Sequence, residues 1–134
     1  MENIPNCFYR ISLKALILNE TRDKFLILEE HDGRWDFPGG GLDFGESPTI
    51  GITRELKEEM GVDVVSVQEK PSYFLTDKHR SGYWIANIFY EVTVKDLDFT
   101  PSDECISLQF VSPEEVKNMN VYSTVKLFSE MFKV

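Results

Sequence analysis

Basic residues are scarce in this 134-residue chain. Fourteen lysines and arginines stand against 23 aspartates and glutamates, a formal net charge of −9. Such a balance repels nucleic-acid polymers and anionic membranes, so a small-molecule partner is expected instead. Cysteine is rarer still: Cys7 and Cys105 are the two present. They share no metal-site spacing and make no disulfide framework, which predicts free thiols in a reducing compartment. No apolar run approaches the length of a membrane span. The start, Met1-Glu2-Asn3-Ile4-Pro5, has neither the basic stretch nor the apolar core of a secretion signal. A cytoplasmic protein is expected from these absences. Repeats and low-complexity linkers are also missing, and the length suits a single domain over residues 1–134. The chain is 42% hydrophobic and 13% aromatic, enough apolar material for one core.

Periodicity predicts strands over Phe8–Leu18, Lys24–Glu29, Asp63–Leu75 (interrupted near Pro71), Tyr83–Lys95 and Cys105–Ser112. Polar turns separate them, with Asp77–Gly82 read as a loop and Trp35–Gly45 as irregular and dense in glycine. Ser47-Pro48 marks a helix start, since serine caps free N–H groups and proline suits the first helical position. Gly61 is placed to end that helix. Two short helices are expected over Pro113–Asn118 and Tyr122–Phe132, the latter with Val121, Val125 and Phe128 or Phe132 as its apolar stripe. Strands on both sides of one helix, with helices at the end, predict an α/β fold whose mixed sheet is covered on two faces.

The helix between Ser47 and Gly61 carries the chemistry. At about 100° per residue, Glu55, Glu58 and Glu59 fall in one sector, with Gly51 above them and no side chain in the way. Ile52, Leu56 and Met60 form the core-facing stripe. Like charges at i, i+3 and i+4 repel, by roughly 0.2–0.5 kcal/mol per pair, and Glu59 also opposes the helix dipole. A helix built for stability alone would avoid this. A solvated acidic face is the ordinary meaning of such a run, but the preceding loop argues for more. Gly39, Gly40, Gly41 and Gly45 let the backbone approach a ligand closely. Divalent cations bound by these carboxylates would turn the repulsion into attraction, and Mg²⁺ suits oxygen ligands of this kind. Arg54 is placed to pair with a glutamate and fix its rotamer.

Gly40, Glu46, Arg54, Glu55, Leu56, Glu58, Glu59, Gly61 and Val62 match every position of the Nudix box. Its pattern is Gly, five residues, Glu, seven residues, Arg-Glu-hydrophobic-any-Glu-Glu-any-Gly-hydrophobic. At ordinary residue frequencies the fixed positions coincide by chance about once in 10⁸–10⁹ starts. The box covers residues 40–62. Trp35-Asp36-Phe37-Pro38-Gly39 before it and Phe110-Val111-Ser112-Pro113-Glu114-Glu115 after it extend the resemblance along most of the chain.

The resemblance to the Nudix hydrolase family, and to its small MutT-like members, implies an α/β/α sandwich with a mixed β-sheet. It also implies Mg²⁺-dependent hydrolysis, with Mn²⁺ as a substitute, of a nucleoside diphosphate linked to another moiety. A nucleoside triphosphate or related small nucleotide is the expected substrate. Carried over, the Gly40 carbonyl, Glu55, Glu58 and Glu59 make the metal site, Glu46 supports it and Arg54 orients the glutamates. Glu55 or a downstream acid activates water. Glu104, with Asp103 beside it, is the candidate from outside the box. Trp35 and Phe37 are candidates to stack a base, Gly39 and Gly41 to approach the substrate, and His79 to touch phosphate. Pairing into a homodimer is common among relatives. The position where ADP-ribose hydrolases carry proline is Asp77 here. The positions where dinucleoside polyphosphate hydrolases carry tyrosine are Lys78, His79 and Arg80. Two other readings compete. One is a ligand-sensing module without turnover, which usually loses box glutamates. The other is a diphosphate isomerase, which wants a cysteine near the box.

Overall fold

The computed structural model describes residues 5–133. The leaderless start read from Met1–Ile4, and the outer limits of the 1–134 domain, lie outside the described residues. Eleven elements follow in order. β1 is Tyr9–Leu16, β2 Phe25–Glu29, β3 Trp35–Asp36 and β4 Gly39–Gly41. Then come α1 Pro48–Met60, β5 Val64–Val67, β6 Tyr73–Lys78, β7 Trp84–Val94 and β8 Ser107–Val111. α2 Pro113–Val116 and α3 Ser123–Met131 close the chain.

The long strand β7 organises the larger sheet. β1 runs parallel to it, from Tyr9 opposite Trp84 to Leu16 opposite Glu91. On the other side, β6 pairs antiparallel with its first half and β5 with its second. β4 continues the sheet beyond β1. A smaller antiparallel sheet joins β3, β2 and β8. Two apolar clusters sit on opposite faces. Leu13, Ala15, Ile17, Tyr90 and Val92 meet Ile52, Leu56 and Met60 of α1. Leu16, Leu75 and Phe89 meet Val116 of α2 and Val125 and Phe128 of α3. The expected α/β/α arrangement with a mixed sheet is what forms.

The structure refines several boundaries. Asp63–Leu75 is two strands, β5 and β6, which cross different halves of β7. Asp77 and Lys78 belong to β6 rather than to a loop, and Asp77 is buried. Cys105 precedes β8 and is buried. The irregular Trp35–Gly45 holds two short strands. Gly39 makes the second possible: its φ is +133°, and a Cβ there would stand 2.0 Å from the Leu13 carbonyl oxygen. Among the described residues no helix is long and apolar enough to cross a membrane.

Candidate active site

α1 begins and ends as its residues dictate. The Ser47 side chain accepts from the Ile50 N–H at 3.3 Å, and Gly61 takes the left-handed conformation, φ 68°. Between these ends Ile52, Leu56 and Met60 bury against the sheet, so the glutamate sector is turned toward the β4 edge. There Arg54 becomes a hub. Its Nε donates to Glu46 at 2.6 Å and its second terminal nitrogen to the other Glu46 oxygen at 2.9 Å. Its first terminal nitrogen donates to Glu55 at 2.9 Å and to Glu58 at 3.3 Å. A weaker contact reaches the Gly41 carbonyl at 3.3 Å. One guanidinium therefore ties loop, strand and helix together, as its fork of donors permits.

Glu55 lies directly on Gly40: a Cβ at that glycine would come within 2.7 Å of the carboxyl. Glu59 is turned inward, and one of its oxygens accepts from the Gly39 N–H at 2.9 Å. Burial pushes the Glu59 carboxyl well above the ordinary range. Burial also raises Glu55, against the pull of Arg54. Desolvation is the main cause of both shifts, and neighbouring carboxylates add to it. Glu46 goes the other way. Arg54, and then the Asp43 N–H, pull it down to about 2 from 4.5. A lowered folded pKa means that this pairing is fully present above the ordinary carboxylate pKa. It is lost as pH falls toward about 2. Titration of Glu46 followed at its side-chain carbon by NMR is expected to show a midpoint near about 2. A midpoint at the free value would mean that the pairing with Arg54 does not persist in solution.

The donor set suits a hard divalent cation: carboxylates, one backbone carbonyl and a strand whose missing side chains leave room beside Glu55. Among the described residues no three acidic, His or Cys side chains already converge as a finished cage. Glu104 is exposed, and its charge bears on Glu55. Its loop is anchored to the end of α1, where the Ser102 hydroxyl donates to the Glu59 carbonyl at 3.1 Å.

Beside the box is a cavity of about 420 Å³. Ser12 and Lys14 of β1, Ile85 and Asn87 of β7, and Asp77 of β6 share the sheet face that forms its floor. Asp36, Arg34 and the start of α3 wall it, and Lys78, His79 and Arg80 form its lip. Because Ser12 lies opposite Gly41 and Lys14 opposite Gly39, the floor runs on into the box. Its interior polar groups are matched. Buried Asp77 accepts from Asn87 at 2.9 Å and from the Ser123 and Thr124 hydroxyls at 2.7 Å each. Lys14, 7% exposed, pairs with Asp36 at 3.3 Å. Desolvation pulls its pKa down, but Asp36 and then Glu59 outweigh that and hold the ammonium charged. Arg34 lies over the Tyr122 ring, 4.4 Å from its centre. Tyr122 donates in turn to Glu30.

The expected base-stacking aromatics fare differently. Phe37 is corrected: it is 1% exposed and packs with Phe25, Phe89 and Phe128, so it belongs to the core. Trp35 packs half-buried against the same cluster and is not among the cavity residues. Gly39 and Gly41 pair with the lining residues Lys14 and Ser12 without lining the cavity themselves, and His79 lines it. Lys14, Asp36, Asp77, Asn87 and Tyr122 were missed in the sequence. A lone lysine in the apolar run of β1 was the available signal, since a buried charge requires a partner.

An acidic loop–helix thus stands beside a cavity of about 420 Å³, and comparison with known proteins places the chain in a family of hydrolases. The model of the NUDIX domain matches residues 9–130, and the chain belongs to the Nudix hydrolase family. It is 39% identical to an RNA pyrophosphohydrolase of Campylobacter jejuni subsp. doylei, over 97% of each chain. A shorter match links it to an RNA pyrophosphohydrolase of Nitratiruptor, 41% identical over 44% of this chain and 41% of that one. Among solved structures, the MutT protein of Methanosarcina mazei superposes with a TM-score of 0.76 at 28% identity, covering 92% of this chain and 91% of that one. The E. coli ORF135 protein shares the fold, with a TM-score of 0.73 at 23% identity over 95% and 91%.

Proposed function

We propose that this chain is a Mg²⁺-dependent pyrophosphohydrolase, active also with Mn²⁺, that cleaves a diphosphate bond of a nucleoside triphosphate or related nucleotide. The observation that carries this reading is the Arg54 hub, which holds Glu46, Glu55 and Glu58 beside Gly40 and Gly41. The Gly40 carbonyl, Glu55, Glu58 and Glu59 are the residues to hold the cation, with Glu104 completing the set from its loop. A divalent cation held there would screen the charge of the diphosphate and lower the pKa of the attacking water. Glu46 and Arg54 keep the carboxylates aimed. Glu55 or Glu104 takes the proton from water. The floor of the cavity, whose charged groups are paired or hydrogen-bonded within the protein, suits a nucleoside. A ligand-sensing module without turnover draws no support from a site in which every box carboxylate is in place.

The relatives named RNA pyrophosphohydrolase favour a second form of the same reading, in which the triphosphate is carried at the 5′ end of an RNA. The net charge of −9 argues against a long polymer interface. It does not oppose capture of one or two terminal nucleotides, where local charge decides. Exposed Phe8, Tyr9 and Ile11 at the start of β1 support pairing of two copies. A cytoplasmic setting accords with the proposed substrates.

Turnover of nucleoside triphosphates and of 5′-triphosphorylated RNA is expected to vanish in chelator and to return with Mg²⁺ or Mn²⁺, with diphosphate or phosphate identified among the products. Full turnover in chelator would refute cation dependence.

A further inference from the structure

The cationic groups around the cavity fall into two kinds. Lys14 is paired with Asp36 at 3.3 Å and Arg34 with Asp32 at 2.8 Å. Lys78 and Arg80, at the lip, are exposed and in no ion pair among the described residues. In a chain with nine excess negative charges, two unpaired cations beside one another attract an anion.

Their turn is built. The His79 N–H donates to the Tyr83 carbonyl at 2.8 Å, and the Gly82 N–H to the His79 carbonyl at 2.8 Å. The His79 ring lies flat on Tyr83, with centroids 4.5 Å apart and planes at 8°. Its Nδ1 accepts from the Ser81 N–H at 3.0 Å. The neutral ring therefore carries its proton on Nε2, which makes that nitrogen a donor.

Charge along the cavity is thus ordered. Carboxylates suited to a cation stand at the β4 end. The middle is polar and internally matched, and the lip at β6 is positive. β4 and β6 are three strand spacings apart, about 14 Å, and long basic side chains shorten that gap. A ligand complementary to this order has a diphosphate, then a nucleoside, then another phosphate. We propose that Lys78 and Arg80, with His79 between them, bind the phosphate on the 3′ oxygen of the nucleotide in the cavity. They thereby select a 5′-triphosphorylated nucleotide that continues into a chain over the free nucleoside triphosphate. The proposal rests on the hydrolase reading above and adds the group that distinguishes its two forms.

The test is the ratio of kcat/KM between substrates, measured with Mg²⁺ on the full chain. Three are compared: ATP, ATP bearing a 3′-phosphate, and the triphosphorylated dinucleotide pppApG. The wild type is expected to prefer both 3′-substituted substrates by about tenfold, the scale of one charge-assisted contact at a solvent-facing site. In the Lys78→Ala/Arg80→Ala double variant the ratio is expected to fall to about one, while Arg80→Lys keeps most of it. Equal preference for the two 3′-substituted substrates identifies the phosphate, and preference for pppApG alone that the double variant abolishes identifies the phosphodiester. A wild type that handles ATP as well as both 3′-substituted substrates, or a double variant that keeps the ratio, overturns the proposal. Absence of cation-dependent turnover on all three would instead strike the hydrolase reading itself.

Discussion

Glu59→Gln is expected to lower kcat by about 10³-fold or more, the scale on which removal of one charge-stabilising group acts. The same change is expected to leave the metal-free melting temperature unchanged or raised. Glu59 is half-buried, desolvation raises its carboxyl well above the ordinary range, and it shares a helix face with Glu55 and Glu58. Glutamine keeps an oxygen for the Gly39 N–H and removes one of the repelling charges. Loss of turnover together with retained or gained stability is the signature of a residue kept for chemistry at a cost to the fold. Titrated Mn²⁺ is expected to bind the variant more weakly. Unchanged kcat would take Glu59 out of the cation site. Glu58→Gln should behave alike, with a smaller thermal effect, because Glu58 is largely exposed.

Phe37→Ala is expected to destabilise the protein by about 3–5 kcal/mol, the usual result of deleting a large aromatic from a packed core. Its ring stacks on Phe25 at 5.3 Å and meets Phe89 and Phe128 edge-on at 4.9 Å each. Denaturant unfolding measures the loss directly. Phe37→Leu, which fills most of the volume, is expected to fold and to keep KM for a nucleotide substrate near the wild-type value. A large rise in KM with unaltered stability would return Phe37 to the substrate side.

These two residues mark what could be read along the chain and what could not. The box is local. Arg54, Glu55, Glu58 and Glu59 sit within one helix whose pitch places them, and Ser47 and Gly61 mark its ends. Cavity residues are scattered. Lys14, Asp36, Asp77, Asn87 and Thr124 come from five different elements and meet only because β1 lies beside β7 and α3 packs over β6. Asp77 reads as loop in the sequence because polar neighbours follow it, yet it is the residue that gathers Asn87, Ser123 and Thr124. Sequence leaves Phe37 open between core and stacking platform, because its direction depends on the turn into Gly39, whose backbone conformation leaves no mark on spacing. The sheet was foreseeable as mixed, but not that β7 would serve β5 and β6 with separate halves.

The parallel pairing of β1 with β7 also orders events during synthesis. Tyr9 finds its partner Trp84 about 75 residues later in the chain. By then the box helix has been made, along with the glycine strand on which its glutamates rest. Until β7 emerges, β1 lacks its longest partner and α1 lacks a completed sheet to cover. Closing that contact early in folding carries the loop entropy of more than half the molecule. Fragments that end before β7 therefore carry every box residue and still lack the surface that holds them in place, with apolar strands left open to association.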